Sequence, residues 1–184
     1  PERPCTDPDV VLYPAPPAPP PASPRIVYNN PLTPHTKALD ILFVVDTSDS
    51  LDVILLQIAQ QVGKFIENLP PQNDYNIAVM LAHSPDSPWG SKLFVMDSKD
   101  VAVLKSRDMK SINQVRDQLV RKISAVKLFR DKTDGQGELG MLGLQDSLTE
   151  AKNLKAIKDA GFFRDDAGLT VIFISDEQDV CFDF

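Results

Sequence analysis

From Ala38 onward the apolar positions switch repeatedly between two periods. Leu39 to Val45 is a near-continuous apolar run, suited to a strand buried on both faces. Leu51, Ile54, Leu55, Ile58, Val62, Phe65, Ile66 and Leu69 then recur at helical spacing. Asp74 to Leu81 and Lys92 to Met96 predict further strands, separated by the turn-rich loop AHSPDSPWGS. Ser111 to Val126 predicts an amphipathic helix through Ile112, Val115, Leu119, Val120 and Ile123, and Glu138 to Ala151 predicts another. Leu169 to Ile174 is a second fully apolar strand that closes on Ser175-Asp176-Glu177. Strands alternating with helices in this way predict an open α/β sheet.

The first 36 residues have a different texture. Twelve of the 16 prolines fall within the first 34 positions, mostly in YPAPPAPPPASP. Missing amide donors and a fixed φ favour an extended polyproline II tether there, with a plain disordered N-terminus as the alternative. The chain is therefore expected to divide into a Pro-rich segment, 1–36, and a folded domain, 37–184. The RIVYNNPL segment that follows the prolines is a candidate to dock on that domain.

Composition narrows the partners. A net charge of −7 and the absence of a Lys/Arg cluster argue against nucleic acid or anionic lipid, since nothing supplies the phosphate-neutralising contribution, and leave divalent cations as attractive ligands. No apolar run approaches the roughly 18 residues of a membrane helix. The start PERPCTDP has no signal-peptide core, although a signal removed earlier is compatible with it. Cys5 and Cys181 lack zinc-site spacing and read as one disulfide or two unrelated thiols. In an exported protein they are expected to be oxidised to one bridge.

The candidate chemistry lies at the strand ends. In open α/β sheets ligands bind outside the carboxyl ends of the strands, where strand order reverses. Two strands expected to be buried, Leu39–Val45 and Leu169–Ile174, end in acids here, so Asp46 and Asp176 are expected to be neighbours although 130 positions apart. In Asp46-Thr47-Ser48-Asp49-Ser50 the alternate residues Asp46, Ser48 and Ser50 can present three oxygens to one hard cation, and Mg²⁺ suits such a site. Helix capping is the competing reading, because Ser50 and Asp52 in a first helical turn satisfy free amides and the helix dipole without a metal. A distant carboxylate such as Asp176 has no part in a cap, and two unpaired acids at one edge repel without a cation.

VVDTSDS after one buried strand, a Gly-rich loop opening a later helix, and FISDEQD after another strand resemble the von Willebrand factor type A domain and its metal-ion-dependent adhesion site. The resemblance spans roughly Ala38 to Asp183. The segments DGQGELGMLGLQDSL and FFRDDAGLTVIFISDEQD look most like secreted bacterial members, often lipoproteins. It implies a doubly wound, mostly parallel, Rossmann-like sheet with helices on both faces. It also implies direct ligation of Mg²⁺, with Mn²⁺ or Ca²⁺ as substitutes, by Ser48 and Ser50, and acids Asp46 and Asp176 acting largely through water. The open coordination position is then expected to take a carboxylate from a protein or peptide partner. The family also takes a loop Thr hydroxyl; Thr133 is the candidate, at a longer spacing, with Gly135 where the Thr is expected and Glu138 or water as substitutes. Family domains continue with two more strands and helices, so further chain is expected to cover the far side of Leu169–Ile174.

The expected function is a secreted, surface or periplasmic adhesion module, held by a lipid or by the Pro-rich tether. A metal-stabilised scaffold subunit of a bacterial envelope assembly is the alternative. An enzyme is not expected. Ser48 replaces the second acid that a haloacid dehalogenase-type site requires two residues after its nucleophile, and no Ser/His/Asp or Cys/His set can be assembled. The glycines of DGQGELG do not follow a strand in dinucleotide-binding spacing. His35 and His83 are expected to be solvated, and Trp89 is either an exposed anchor or a packed loop aromatic.

Overall fold

The computed structural model describes residues 37–109, 111–130 and 139–176, all within one compact unit, Thr36–Asp179. The described residues form four strands and four α-helices in the order β1 (Ala38–Val45), α1 (Leu55–Glu67), β2 (Asp74–Leu81), β3 (Val103–Lys105), α2 (Ile112–Ala125), α3 (Gly140–Thr149), α4 (Ala151–Asp159) and β4 (Gly168–Ile174). The sheet order is β3-β2-β1-β4, with β1 parallel to both β2 and β4 and β3 antiparallel to β2. The fold is thus mixed α/β with a mostly parallel sheet. β2 and β3 extend the sheet to one side of β1 and β4 returns to the other, so strand order reverses between β1 and β4.

Alternation along β1 sends its side chains to two separate cores. Ile41, Phe43 and Val45 pack with Leu55, Ala59 and Ile66 of α1 and Val115, Leu119 and Ile123 of α2. Leu42 and Val44 pack on the opposite face with Ile157 of α4, Phe162 and Leu144 of α3. That double burial is why Ile41 to Val45 can be apolar without interruption. The chain leaves α4 by a Schellman turn: Gly161 (φ +86) donates to Lys158 O at 2.8 Å and Phe162 to Ile157 O at 3.2 Å. Arg164 then locks the return to β4, giving Asp40 two 2.8 Å bonds, from its amide and its Nε, and Asp74 a 2.6 Å bond from Nη1.

Three expectations need correction. Lys92–Met96 is not a strand: it meets β2 through one bridge, Met80 with Leu93, while Asp100 takes the Met96 amide at 2.9 Å and Val103–Lys105 occupies the adjoining ladder positions. The helix expected over Glu138–Ala151 is described as α3 from Gly140, and Glu150, extended at φ −77 and ψ 114, separates it from an unforeseen α4. Leu169–Ile174 is not buried on both faces, for β4 pairs only with β1 among the described strands and leaves Leu169 48% and Phe173 43% exposed. Among the described residues no helix is long and apolar enough to cross a membrane. The Pro-rich segment, His35, Cys5, Cys181, Thr133, Gly135 and Glu138 lie outside the described residues.

Candidate functional site

The β1/β4 ladder runs one bond beyond β1, with Asp46 N donating to Ile174 O at 2.9 Å. That bond fixes Asp46 at the carboxyl edge of the sheet, where strand order reverses. The side chain is buried, and each of its oxygens has a partner: Oδ1 accepts from Ser48 N at 2.7 Å and Oδ2 from the Ser175 hydroxyl at 2.8 Å. The first bond is an Asx-type turn, the local device by which Asp bends a chain leaving a strand.

Beyond that turn the side chains alternate. Thr47 is buried and bonds inward, its Oγ1 2.9 Å from His83 Nε2, while His83 Nδ1 lies 2.9 Å from Ser87 Oγ. Ser48 turns the other way, its hydroxyl 2.9 Å from that of Ser50, and Ser50 donates to Asp176 Oδ1 at 3.1 Å. The structure therefore gathers Asp46, Ser48, Ser50 and Asp176, residues of two separate strand ends, into one hydrogen-bonded group.

Adjacent corners of an octahedron of oxygens at 2.0–2.1 Å from a central ion are about 2.9 Å apart. Ser48 Oγ to Ser50 Oγ and Ser50 Oγ to Asp176 Oδ1 measure 2.9 and 3.1 Å. Both are ordinary O–H···O hydrogen-bond lengths, and neighbouring oxygens in the shell of a small divalent cation have the same separation. Asp46, whose oxygens are taken by Ser48 and Ser175, backs the three residues. Among the described residues no three His, Cys, Asp or Glu side chains gather as a metal group.

Asp52 stands in the first turn as the capping alternative expects, but no side-chain cap bond forms. Ser50 opens a 3-10 turn, Ser50–Val53, and neither that turn nor α1 has a side-chain cap bond. Asp52 is engaged instead by Arg130, whose Nη2 lies 2.5 Å from its Oδ1. The same guanidinium donates to the carbonyls of Thr47 and Ser48 and pairs with Asp49. Sequence reasoning missed Arg130, because nothing in the local pattern near position 130 links it to a loop some 80 positions earlier.

His83 is fully buried, which overturns its expected solvation: it sits at the end of β2 between Thr47 and Ser87, with Trp89 against its ring at 6.1 Å. The spacing His83-x₃-Ser87 was the available signal, but the Thr47 partner is a tertiary fact. Trp89 is half-buried, its ring edge-on to Phe129 at 5.8 Å, and belongs to the core rather than to an exposed anchor. Among the described residues no Lys or Arg pairs with Asp46 or Asp176. Neither a protein-family model nor a curated protein sequence matches the chain.

Proposed function

We propose that this chain is a divalent-metal-dependent protein-interaction module of the von Willebrand factor A type, which binds a partner through a carboxylate. The observation that supports the reading is the hydrogen-bonded run Ser48–Ser50–Asp176, which joins the chain beyond β1 to the chain beyond β4 and is backed by the buried Asp46. Ser48 and Ser50 would hold Mg²⁺ by their hydroxyls, with Asp46 and Asp176 acting through water. When bound, the ion supplies a strong attraction for an outside oxygen anion. The chain's own part is to present few direct anionic ligands. Two neutral hydroxyls leave the ion's charge incompletely offset, so an Asp or Glu of the partner gains by joining it. Thr133 belongs to this reading as the candidate third hydroxyl. An exported location with a surface tether, and one bridge between Cys5 and Cys181, go with it.

Calorimetric titration with Mg²⁺ tests the proposal on the wild type and on Asp46→Ala and Ser50→Ala, with circular dichroism to follow the fold. Binding in the wild type, abolished by EDTA and lost in both variants while the fold persists, is the expected result. Unaltered affinity in Asp46→Ala, or no binding by the wild type, defeats the reading. Acetate added to the Mg²⁺-loaded protein separates an interaction module from a scaffold, since a scaffold has no position left for an outside carboxylate.

A further inference from the structure

Arg130 forms no hydrogen bond or ion pair with Ser50 or Asp176, yet all three of its guanidinium nitrogens are committed to the loop that carries the site. Nε donates to the Thr47 carbonyl, Nη2 reaches the Ser48 carbonyl at 3.3 Å and Asp52 Oδ1 at 2.5 Å, and Nη1 pairs with Asp49. Its side chain is 24% exposed, so the positive charge is held in place and only partly screened by solvent. Asp49 and Asp52 are drawn to it, and neither belongs to the hydrogen-bonded run of Ser48, Ser50 and Asp176.

We infer that Arg130 sets the charge balance of the site, occupying Asp49 and Asp52 so that a bound cation stays positive enough to accept a carboxylate from outside. This rests on the metal-dependent reading proposed above. Among the described residues of this loop and its partner strand end, the four carboxylates Asp46, Asp49, Asp52 and Asp176 stand against this one guanidinium, leaving three negative charges. A divalent cation lowers that to one; without Arg130 it lowers it only to two. An incoming carboxylate then meets more repulsion, while the cation itself is held more firmly. Removing the arginine therefore moves the two affinities in opposite directions. A purely structural role predicts something else: a loosened loop weakens both.

The full chain is titrated with Mg²⁺ by calorimetry, and the Mg²⁺-saturated protein is titrated with acetate at constant ionic strength, followed by amide chemical shifts. Arg130→Met should bind Mg²⁺ more tightly and acetate more weakly, each on the order of ten-fold. Arg130→Lys, which keeps the charge but not the fork, should stay within about three-fold of wild type for both. Asp49→Asn supplies the converse in an 80% exposed position where folding is not at stake: Mg²⁺ weaker, acetate tighter. If Arg130→Met weakens both ligands, or Asp49→Asn changes neither, the inference is overturned while the metal-dependent reading stands. A wild type that takes no Mg²⁺ removes both, and should Arg130→Met fail to fold, Arg130→Lys and Asp49→Asn decide.

Discussion

Asp46→Asn distinguishes an acid kept for a cation from an acid kept for the fold. Asp46 is 1% exposed and accepts from Ser48 N at 2.7 Å and Ser175 Oγ at 2.8 Å. The amide has the same shape, still accepts from Ser48 through Oδ1, and can donate to the Ser175 oxygen. Exchanging two charge-assisted bonds for neutral ones costs about 2 kcal/mol in total. Against this stands the penalty of burying a carboxylate without a cation in contact, several kcal/mol. In EDTA the variant should therefore match the wild type or exceed it by about 1–2 kcal/mol. Mg²⁺ should reverse that order. A ligand at a hundred times its Kd stabilises by about 2.7 kcal/mol, and only the wild type collects this. For a domain of this size the rise in Tm is roughly 5–10 °C. Thermal unfolding followed by circular dichroism, in EDTA and across a Mg²⁺ series at constant ionic strength, should give two curves that cross. A variant several kcal/mol less stable in EDTA makes Asp46 a structural acid. An equal rise in both proteins takes it out of the site.

Lys122, fully buried with its Nζ 2.6 Å from Asp100 and 2.8 Å from Phe94 O, should cost about 3–5 kcal/mol when changed to Met in denaturant melts, because Asp100 is left without its cation; a loss under about 1 kcal/mol would refute the pairing. Burial pushes the Lys122 ammonium below the ordinary lysine value, against the pull of Asp100. The unfolded chain then holds a proton the folded one has shed, so wild-type stability should rise relative to Lys122→Met as pH climbs toward about 10.4, and a flat difference would contradict this. Asp74 is held below the usual carboxylate range by its bond from Arg107 and, next, by Arg164. The stability it contributes is present above about pH 3.9 and lost as pH falls through its lowered folded value, so acid melts of wild type and Asp74→Asn should converge there. Gly143→Ala places a Cβ 2.7 Å from the His83 carbonyl oxygen, which should cost about 1–3 kcal/mol and shift the His83 resonances; an unaltered Tm would show that α3 gives way freely.

Much of this protein is legible in one dimension. The near-continuous run Leu39–Val45 announced a strand with cores on both sides, and the helical spacing through Leu55, Ile58, Val62 and Ile66 announced the helix that covers one of them, although the buried Ala59 on that face went unread. The position of Asp46 and Asp176 at the two strand ends was legible for the same reason: hydrophobic periodicity marks where each strand stops, and a parallel sheet puts those stops on one edge. What required the third dimension is every contact whose partners lie far apart and carry no periodic signal. β3 is three residues long, too short to show a period, and its place beside β2 is a matter of which ladder positions were free. His83 looks like any loop histidine until Thr47 and Ser87 close on it. Arg130 is one surface-type residue after a helix until the packing of α2 and its 3-10 extension, Val126–Phe129, carries it to the Asp46–Asp52 loop. Local pattern reports burial and turn chemistry, which depend on neighbours in sequence. Ion pairs and buried networks depend on side chains meeting across the sheet, and only folding brings those together.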